Sequence, residues 1–134
     1  SVEATLRASF ARQGLMTTFG ARLVSVAHGR VTIEAPIDEK VQQQHGAVHA
    51  GLTFALGDSA AGYSALTLIE GEADVMTAEM KINLLRPGLG ESLVAEGRVI
   101  KPGRRLTVVQ ADVFAVTGET RKHIAAMQGT MVPV

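Results

Sequence analysis

A long apolar segment in the middle of the chain constrains the fold more than any other feature. Residues 41–69 read VQQQHGAVHAGLTFALGDSAAGYSALTLI, and between Lys40 and Glu70 only Asp58 is fully charged at neutral pH. From Leu52 onward, apolar residues occupy nearly all sides of a helical projection, which is typical of a helix buried inside a protein. A carboxylate in such a helix is costly unless it is paired, hydrogen-bonded or required for chemistry. Asp58 is therefore a candidate functional residue, and we expect the rest of the chain to wrap around this helix.

The segments on either side predict a second, shorter helix and several strands. Residues 2–13 pattern as an amphipathic helix that Gly14 ends, and the buried helix is expected over residues 49–69. Runs rich in β-branched residues, separated by turn-forming residues, predict strands at 21–27, 30–35, 74–85, 92–100, 106–116 and 121–132. Successive hairpins with one long helix imply an α+β fold in which an antiparallel sheet wraps around the central helix.

The strand at residues 74–85 alternates between apolar and polar side chains. The alternation places Met76, Met80 and Ile82 on one face, and Thr77 on the other. Methionines commonly fill irregular gaps in cores, so the two methionines are interpreted as core residues. Thr77 is expected among the polar residues of the strand.

Composition excludes several classes of protein. A length of 134 residues predicts a single domain spanning 1–134. The 13 basic and 13 acidic residues balance, which argues against a nucleic-acid binder. The chain has no cysteine, and no histidine pair has metal-ligand spacing on a predicted helix, so we expect no metal or cofactor. Charges interrupt any leader-like segment, and polar residues weaken a membrane span. A cytoplasmic protein without nucleic-acid or membrane partners is the resulting expectation.

The apolar helix also predicts self-association. It has more apolar surface than six short strands can cover, and a net charge of zero produces little self-repulsion. His49 and Asp58 lie nine residues apart, which places them on opposite sides of the helix and about 13 Å apart along its axis. They cannot pair within one helix. A site remains possible between two antiparallel copies, which an isologous dimer would form twice.

The start of the helix offers backbone donors. Residues 47–51 should present N–H groups without intrahelical partners at the positive end of the helix dipole. Such donors can hold a developing oxyanion, and small residues such as Ala50 and Gly51 would let a carbonyl approach closely. A carboxylate nearby could activate water or attack directly, and Thr77 could orient the water.

These motifs resemble a known family. Residues 46–51, GAVHAG, with Asp58 after six further residues, are similar to the G-x-x-H-G-G-x6-D signature of hot-dog-fold acyl-CoA thioesterases of the phenylacetate-pathway (PaaI-like) type. Residues 75–82 resemble the family's strand after the helix, which carries a serine or threonine near the site. Residues 84–91 resemble its proline-containing turn. The resemblance covers nearly the whole chain from about Gly20 and implies a hot-dog fold.

The resemblance also implies roles for individual residues. Asp58 would be the general base or nucleophile for thioester hydrolysis, and the N–H of Ala50 from the other subunit would polarise the thioester carbonyl. His49 would shape the turn, and Thr77 would help to place water. The substrate would be an acyl-CoA lying along the interface of a homodimer, often paired further into a homotetramer. Residues that would contact this substrate include Gly51, Arg104 and Arg105, the two arginines lying near the phosphates.

Two positions depart from the family pattern. Ala50 replaces the first motif glycine; its N–H remains, but its methyl group can narrow access for the acyl group. Gln43 replaces a common asparagine, and its longer side chain changes the reach of the amide towards the carbonyl. Both changes bear on efficiency and substrate rather than on the fold.

Each assignment has a structural alternative. Asp58 could stabilise a subunit interface through hydrogen bonds, and His49 could cap the helix. Thr77 could be an ordinary strand residue, and arginines at a turn are most often solvated. The histidines outside the motif are expected to be solvated or on the surface: His28, His45 and His123. A hot-dog hydratase or dehydratase acting on enoyl thioesters and a non-catalytic acyl-CoA-binding dimer are the competing functions.

Overall fold

The computed structural model describes all 134 residues. Three helices, one 3₁₀ turn and six strands follow one another along the chain. The helices are α1 (Val2–Ala11), α2 (Gly14–Thr18) and α3 (Ala50–Leu66), and the 3₁₀ turn spans Glu39–Val41. The strands are β1 (Arg22–Ala27), β2 (Arg30–Pro36), β3 (Val75–Leu84), β4 (Ser92–Lys101), β5 (Thr107–Thr117) and β6 (Thr120–Pro133).

All six strands form one antiparallel sheet that wraps around α3. The strand order is β1-β2-β4-β5-β6-β3, so that β1 and β3 are the two edges. One face of the sheet packs on α3, through residues that alternate along each strand. This is the α+β, hot-dog arrangement that the sequence predicts. None of the helices has the length and apolar content needed to cross a membrane.

The core lies between α3 and the centre of the sheet. Leu56 and Ala60 of α3 are fully buried, as are Ile33 and Leu93 on the strands beneath them. The helix approaches the sheet closely at Gly97 of β4, where a Cβ atom would lie 2.3 Å from the backbone of Ala60. A glycine is therefore required at this contact, because any side chain would push helix and strand apart.

The first helix is shorter than the sequence predicts. It ends at Ala11 rather than Gln13, and a second helix, α2, follows at Gly14–Thr18, where the sequence predicts a break. This helix has only five residues, and Met16 is the only one that is buried. It is therefore too short to show a helical period in the sequence. The long helix begins one residue later and ends three residues earlier than predicted, at Leu66.

The predicted face assignment of β3 is wrong because the strand contains a β-bulge. Thr77 pairs with Met131, but Glu79 pairs with Thr130, so one residue of β3, Ala78, has no counterpart on β6. A single extra residue reverses the alternation beyond it. Thr77 consequently shares the helix-facing side with Met80 and Ile82. Their pairing partners on β6 are residues 131, 129 and 127, which alternate and so lie on one face of that strand. Met76 faces away and is 60% exposed, so it is not a core residue.

Candidate active site at the two ends of an exposed helix face

Asp58 lies on the face of α3 that the sheet does not cover. Its carboxylate Oδ1 accepts a hydrogen bond of 2.7 Å from Thr77 Oγ1, and the same hydroxyl lies 3.4 Å from Met131 Sδ. The β3 bulge makes this contact possible, because it turns Thr77 towards the helix. Asp58 is half-buried and forms no ion pair. A single chain therefore leaves this face of α3 partly uncovered.

One backbone N–H group at the start of α3 has no hydrogen-bond acceptor within the chain. His49 is the N-cap residue: its Nδ1 accepts from the N–H of Gly51 at 2.8 Å. The N–H of His49 donates to the carbonyl of Val41 at 2.8 Å, and that of Leu52 donates to the carbonyl of His49 at 3.0 Å. The N–H of Ala50, the first residue of the helix, has no acceptor within the chain. It is the donor that a ligand carbonyl could use.

Gln43 holds the loop that precedes the helix. Its side-chain Oε1 accepts from the N–H of His45 at 2.6 Å and from that of Ala47 at 3.3 Å. Its own N–H donates to the carbonyl of Ala47 at 2.8 Å. Because the amide oxygen is used inside the loop, only Nε2 of Gln43 is left to donate to a ligand. Gly46 completes the turn with a φ of +83°, which favours glycine.

A cleft of about 570 Å³ opens beside the N-terminus of α3. One wall is the 43–50 loop, and the other is the end of β3 with the turn that follows, Leu84–Gly88. The N–H of Val48 donates to the carbonyl of Gly88 at 2.9 Å and ties the two walls together. Leu84 and Leu85 are about half exposed and give the cleft an apolar side. An apolar cleft with a few polar donors is the common form of a small-molecule site.

A single chain does not bring the two parts of the candidate site together. Ala50 and Asp58 are eight residues apart on one helix, which corresponds to about 12 Å along its axis. Arg104 and Arg105 are exposed on the turn between β4 and β5. This turn precedes Thr107, which pairs with Met131, the partner of Thr77, so it lies at the Asp58 end of the site.

Some contacts had no signal in the sequence. Met131 lies against Thr77 only because of the strand pairing, and the cleft wall at Leu84 is formed by residues distant in sequence from the loop. His123 was expected on the surface; it is half-buried on the outer face of the sheet, where its Nε2 lies 2.8 Å from Asp112 Oδ1. No group of three histidine, aspartate or glutamate side chains is arranged to hold a metal ion.

Comparison with known proteins decides the family. A sequence model of the thioesterase superfamily matches residues 45–122, from the loop before α3 to the start of β6. The chain belongs to the thioesterase superfamily. The matched residues include Asp58, Thr77, residues 45–50 of the loop and the Leu84–Gly88 wall of the cleft, but not Gln43.

The relatives agree with this assignment. A thioesterase family protein from Silicibacter pomeroyi has a crystal structure with 42% identity and a TM-score of 0.97, covering 100% of this chain and 98% of that one. A putative esterase of Saccharolobus solfataricus is 31% identical over 90% of this chain and 78% of its own length. A 1,4-dihydroxy-2-naphthoyl-CoA hydrolase of Listeria monocytogenes is 29% identical over 88% of this chain and 94% of its own. The predicted family resemblance is confirmed, and the thioesterase is a thioester hydrolase.

Proposed function

We propose that this thioesterase hydrolyses an acyl-CoA to the free acid and coenzyme A at two equivalent sites between paired subunits. The observation that carries the proposal is that each end of the exposed face of α3 holds half of a site. Ala50 has a backbone donor without an acceptor, and Asp58 has a carboxylate without a cation. The hydrolase from Listeria monocytogenes carries a CoA thioester substrate in its name, which supports CoA as the thiol.

The chemistry follows from the two groups. The N–H of Ala50 would donate to the thioester carbonyl, and the hydrogen bond would strengthen as negative charge develops on that oxygen. Asp58 would take a proton from a water molecule as the water oxygen attacks the carbonyl carbon. The tetrahedral intermediate would then collapse, breaking the C–S bond, and the CoA thiolate would leave and recover the proton. Thr77 would fix the carboxylate through Oδ1, so that Oδ2 faces the water.

The exposed surface around α3 supports pairing through this side of the molecule. β3 is an edge strand of ten residues, whereas the opposite edge strand, β1, has six. The unpaired backbone groups of a long edge strand are a ready surface for a second strand. Exposed apolar side chains lie on β3, just after it and on the neighbouring helix: Phe54, Met76, Leu84 and Leu85. A two-fold axis beside β3 would place Ala50 of one subunit opposite Asp58 of the other, twice.

The arginines of the β4–β5 turn are the proposed contacts for the CoA phosphates. Arg104 and Arg105 are exposed, are not in ion pairs, and lie at the same end of the sheet as Thr77. A substrate reaching from Asp58 towards this turn would bring its phosphates to the guanidinium groups, which suit phosphate geometry. Gly51 contributes by its size, since it is exposed beside the free N–H of Ala50.

The deciding experiment removes the carboxylate without changing its size. In Asp58→Asn the hydrogen bond from Thr77 can persist, but proton transfer to the side chain is lost. We expect turnover of a panel of acyl-CoAs, measured as released thiol, to fall by roughly 10²–10⁴-fold. The matched control is Asp112→Asn, a carboxylate on the outer face of the sheet that contacts His123. The proposal is wrong if Asp58→Asn keeps wild-type turnover on a good substrate.

Two further measurements separate the remaining alternatives. Hydrolysis in H₂¹⁸O under single-turnover conditions distinguishes the two roles of Asp58. Direct attack would form an anhydride between Asp58 and the acyl group, and hydrolysis of this anhydride at the Asp58 carbonyl would put the label into the Asp58 carboxylate. Attack of water on the thioester would put the label only into the released acid, so label found in Asp58 identifies direct attack. Product analysis with an enoyl-CoA tests the hydratase alternative. That alternative is disfavoured because the Nδ1 of His49 is engaged as the helix cap. Light scattering distinguishes a dimer from a dimer of dimers.

A further inference from the structure

Phe54 is an exposed aromatic residue on an otherwise well-packed helix. It is 37% exposed and is the only large apolar residue of α3 with this degree of exposure. Its neighbours Leu52, Thr53 and Leu56 are at most 2% exposed. More than a third of Phe54 is therefore available to a group outside the chain.

Phe54 lies midway between the two halves of the proposed site. It lies four residues after Ala50 and four residues before Asp58. Each step of four residues advances about 6 Å along a helix and about 40° around it. Phe54 is therefore the midpoint between the oxyanion donor and the carboxylate, both along the helix and around it.

The symmetry of the proposed site fixes what Phe54 faces. If Ala50 of one subunit lies opposite Asp58 of the other, and the reverse, the two-fold axis must pass between the two helices at the level of residue 54. We infer that the two Phe54 side chains meet at this axis and form one apolar wall shared by both acyl pockets. The inference rests on the proposed function, because it uses the pairing of Ala50 with Asp58 across the interface.

The edge strand gives a separate check on the position of the axis. Thr77 marks the level of Asp58, because the two are hydrogen-bonded, and Leu84 marks the level of Ala50, because both line the same cleft. A two-fold axis that exchanges these levels crosses β3 midway between them, near Met80 and Lys81. This point is the interior of the strand rather than one end, so that two antiparallel copies of β3 could pair over most of their ten residues.

The shared wall has a consequence for the acyl group. An acyl chain whose carbonyl is held between Ala50 and the partner's Asp58 would extend along the face on which Phe54 lies. The wall is apolar, and Asp58 is the one charged residue of α3, so acyl groups with an additional negative charge would be excluded. Phe54 would also limit the depth of each pocket. The substrate class is therefore an uncharged acyl group of limited length, aliphatic or aromatic.

The absence of cysteine makes the contact directly measurable. In Phe54→Cys, the two thiols would face each other across the axis, within reach of a short bis-maleimide cross-linker; two meeting phenyl rings hold the Cα atoms farther apart than a disulfide requires. We expect the cross-linker to convert most of the variant to a covalent dimer on denaturing gels. Ser59→Cys, half-buried on the same helix, is the matched control. Its two copies would be separated by about 15 Å along the helix axes, and we expect no cross-link.

The outcomes of this experiment are distinct. Cross-linking of Phe54→Cys above the Ser59→Cys control supports the shared wall. If Phe54→Cys cross-links no more than the Ser59→Cys control, the inference is overturned. The proposed function stays intact in that case, provided that the protein is dimeric by light scattering and loses activity in Asp58→Asn. A monomeric active enzyme, or full activity in Asp58→Asn, would instead overturn the proposed function.

Acyl-chain preference gives a second readout that a purely structural role would not change. Phe54→Ala deepens both pockets, so we expect kcat/KM for dodecanoyl-CoA relative to butyryl-CoA to rise by about tenfold or more. Phe54→Leu keeps an apolar wall of intermediate size and should shift the ratio less. An equal fall of kcat/KM for both substrates in dimeric Phe54→Ala would contradict a role in specificity.

Discussion

The two halves of α3 differ in how many of their polar and apolar groups find partners within the chain. In the C-terminal half, the hydroxyl of Ser64 donates to the carbonyl of Ala61 at 2.6 Å, and that of Thr67 donates to the carbonyl of Ser64 at 2.7 Å. The hydroxyl of Thr67 also accepts from the N–H of Gly29 at 2.7 Å. Ala61, Ser64 and Thr67 lie in a run, residues 60–67, that is almost entirely buried. This half is complete within one subunit.

The N-terminal half is incomplete in three respects. The N–H of Ala50 lacks an acceptor, Phe54 is more than one-third exposed, and the carboxylate of Asp58 is hydrogen-bonded only by the hydroxyl of Thr77. These three residues lie along one face within about 12 Å. The difference teaches that, within α3, the groups without partners are collected in the half where a substrate and a second subunit would complete them.

The largest effect is expected where α3 is already complete. Gly97→Ala would place a methyl group 2.3 Å from the backbone of Ala60, so helix and strand must separate. We expect a loss of about 3 kcal/mol in the free energy of unfolding, measured from the denaturant midpoint. Gly14→Ala is the control, because nothing lies within 4 Å of its added Cβ. Equal stabilities of the two variants would contradict the close packing of this half.

A smaller effect is expected at the incomplete half, and on activity rather than stability. Thr77→Val keeps the shape of the side chain but removes the donor to Asp58. We expect kcat to fall about tenfold, which corresponds to about 1.4 kcal/mol in the barrier, with little change in the melting temperature. Thr77→Ser keeps the hydroxyl and should restore most of the activity. A Thr77→Val variant with wild-type kcat would mean that the contact does not orient the carboxylate.

The hydroxyl of Tyr63 provides the matching test in the complete half. It accepts from Gln13 Nε2 at 2.8 Å and lies 3.0 Å from Ser9 Oγ, tying α3 to the N-terminal helices. Tyr63→Phe should lower the free energy of unfolding by about 1 kcal/mol. The kcat of the folded variant should stay unchanged, because these contacts are remote from Asp58. A marked loss of kcat at full stability would break the distinction between the two halves.

The smallest effect is expected at the proposed phosphate contacts. Replacing both Arg104 and Arg105 with alanine should raise KM severalfold at low ionic strength and leave kcat nearly unchanged. Exposed charges act through screened attraction, so the difference from wild type should shrink as salt is added. Replacing Arg22 and Arg121, which lie at the opposite end of the sheet from this turn, controls for net charge. If the double alanine variant has the KM of the wild type, the turn is not part of the binding surface.

The sequence predicted the architecture and the family but not the local geometry of the site. The uncharged run around Asp58 and the alternating strands are strong signals because burial dictates them directly. The bulge at Ala78 has no such signal: the strand there contains no glycine or proline, and only the pairing with β6 reveals the extra residue. Met76 was assigned to the core for the same reason. The extent to which Asp58 is covered was also unpredictable, since it depends on which side of α3 the sheet leaves open.

The free edge of β3 also bears on how a newly made chain would behave before the proposed pairing. A strand with ten unpaired positions and exposed Met76 could template non-specific aggregation in a crowded cell. The strand carries its own protection against this outcome. The bulge at Ala78 bends the edge, and Glu79 and Lys81 place opposite charges on its solvent side. Only a partner with the matching bend and the complementary charges can align along it, and an identical chain meets both conditions.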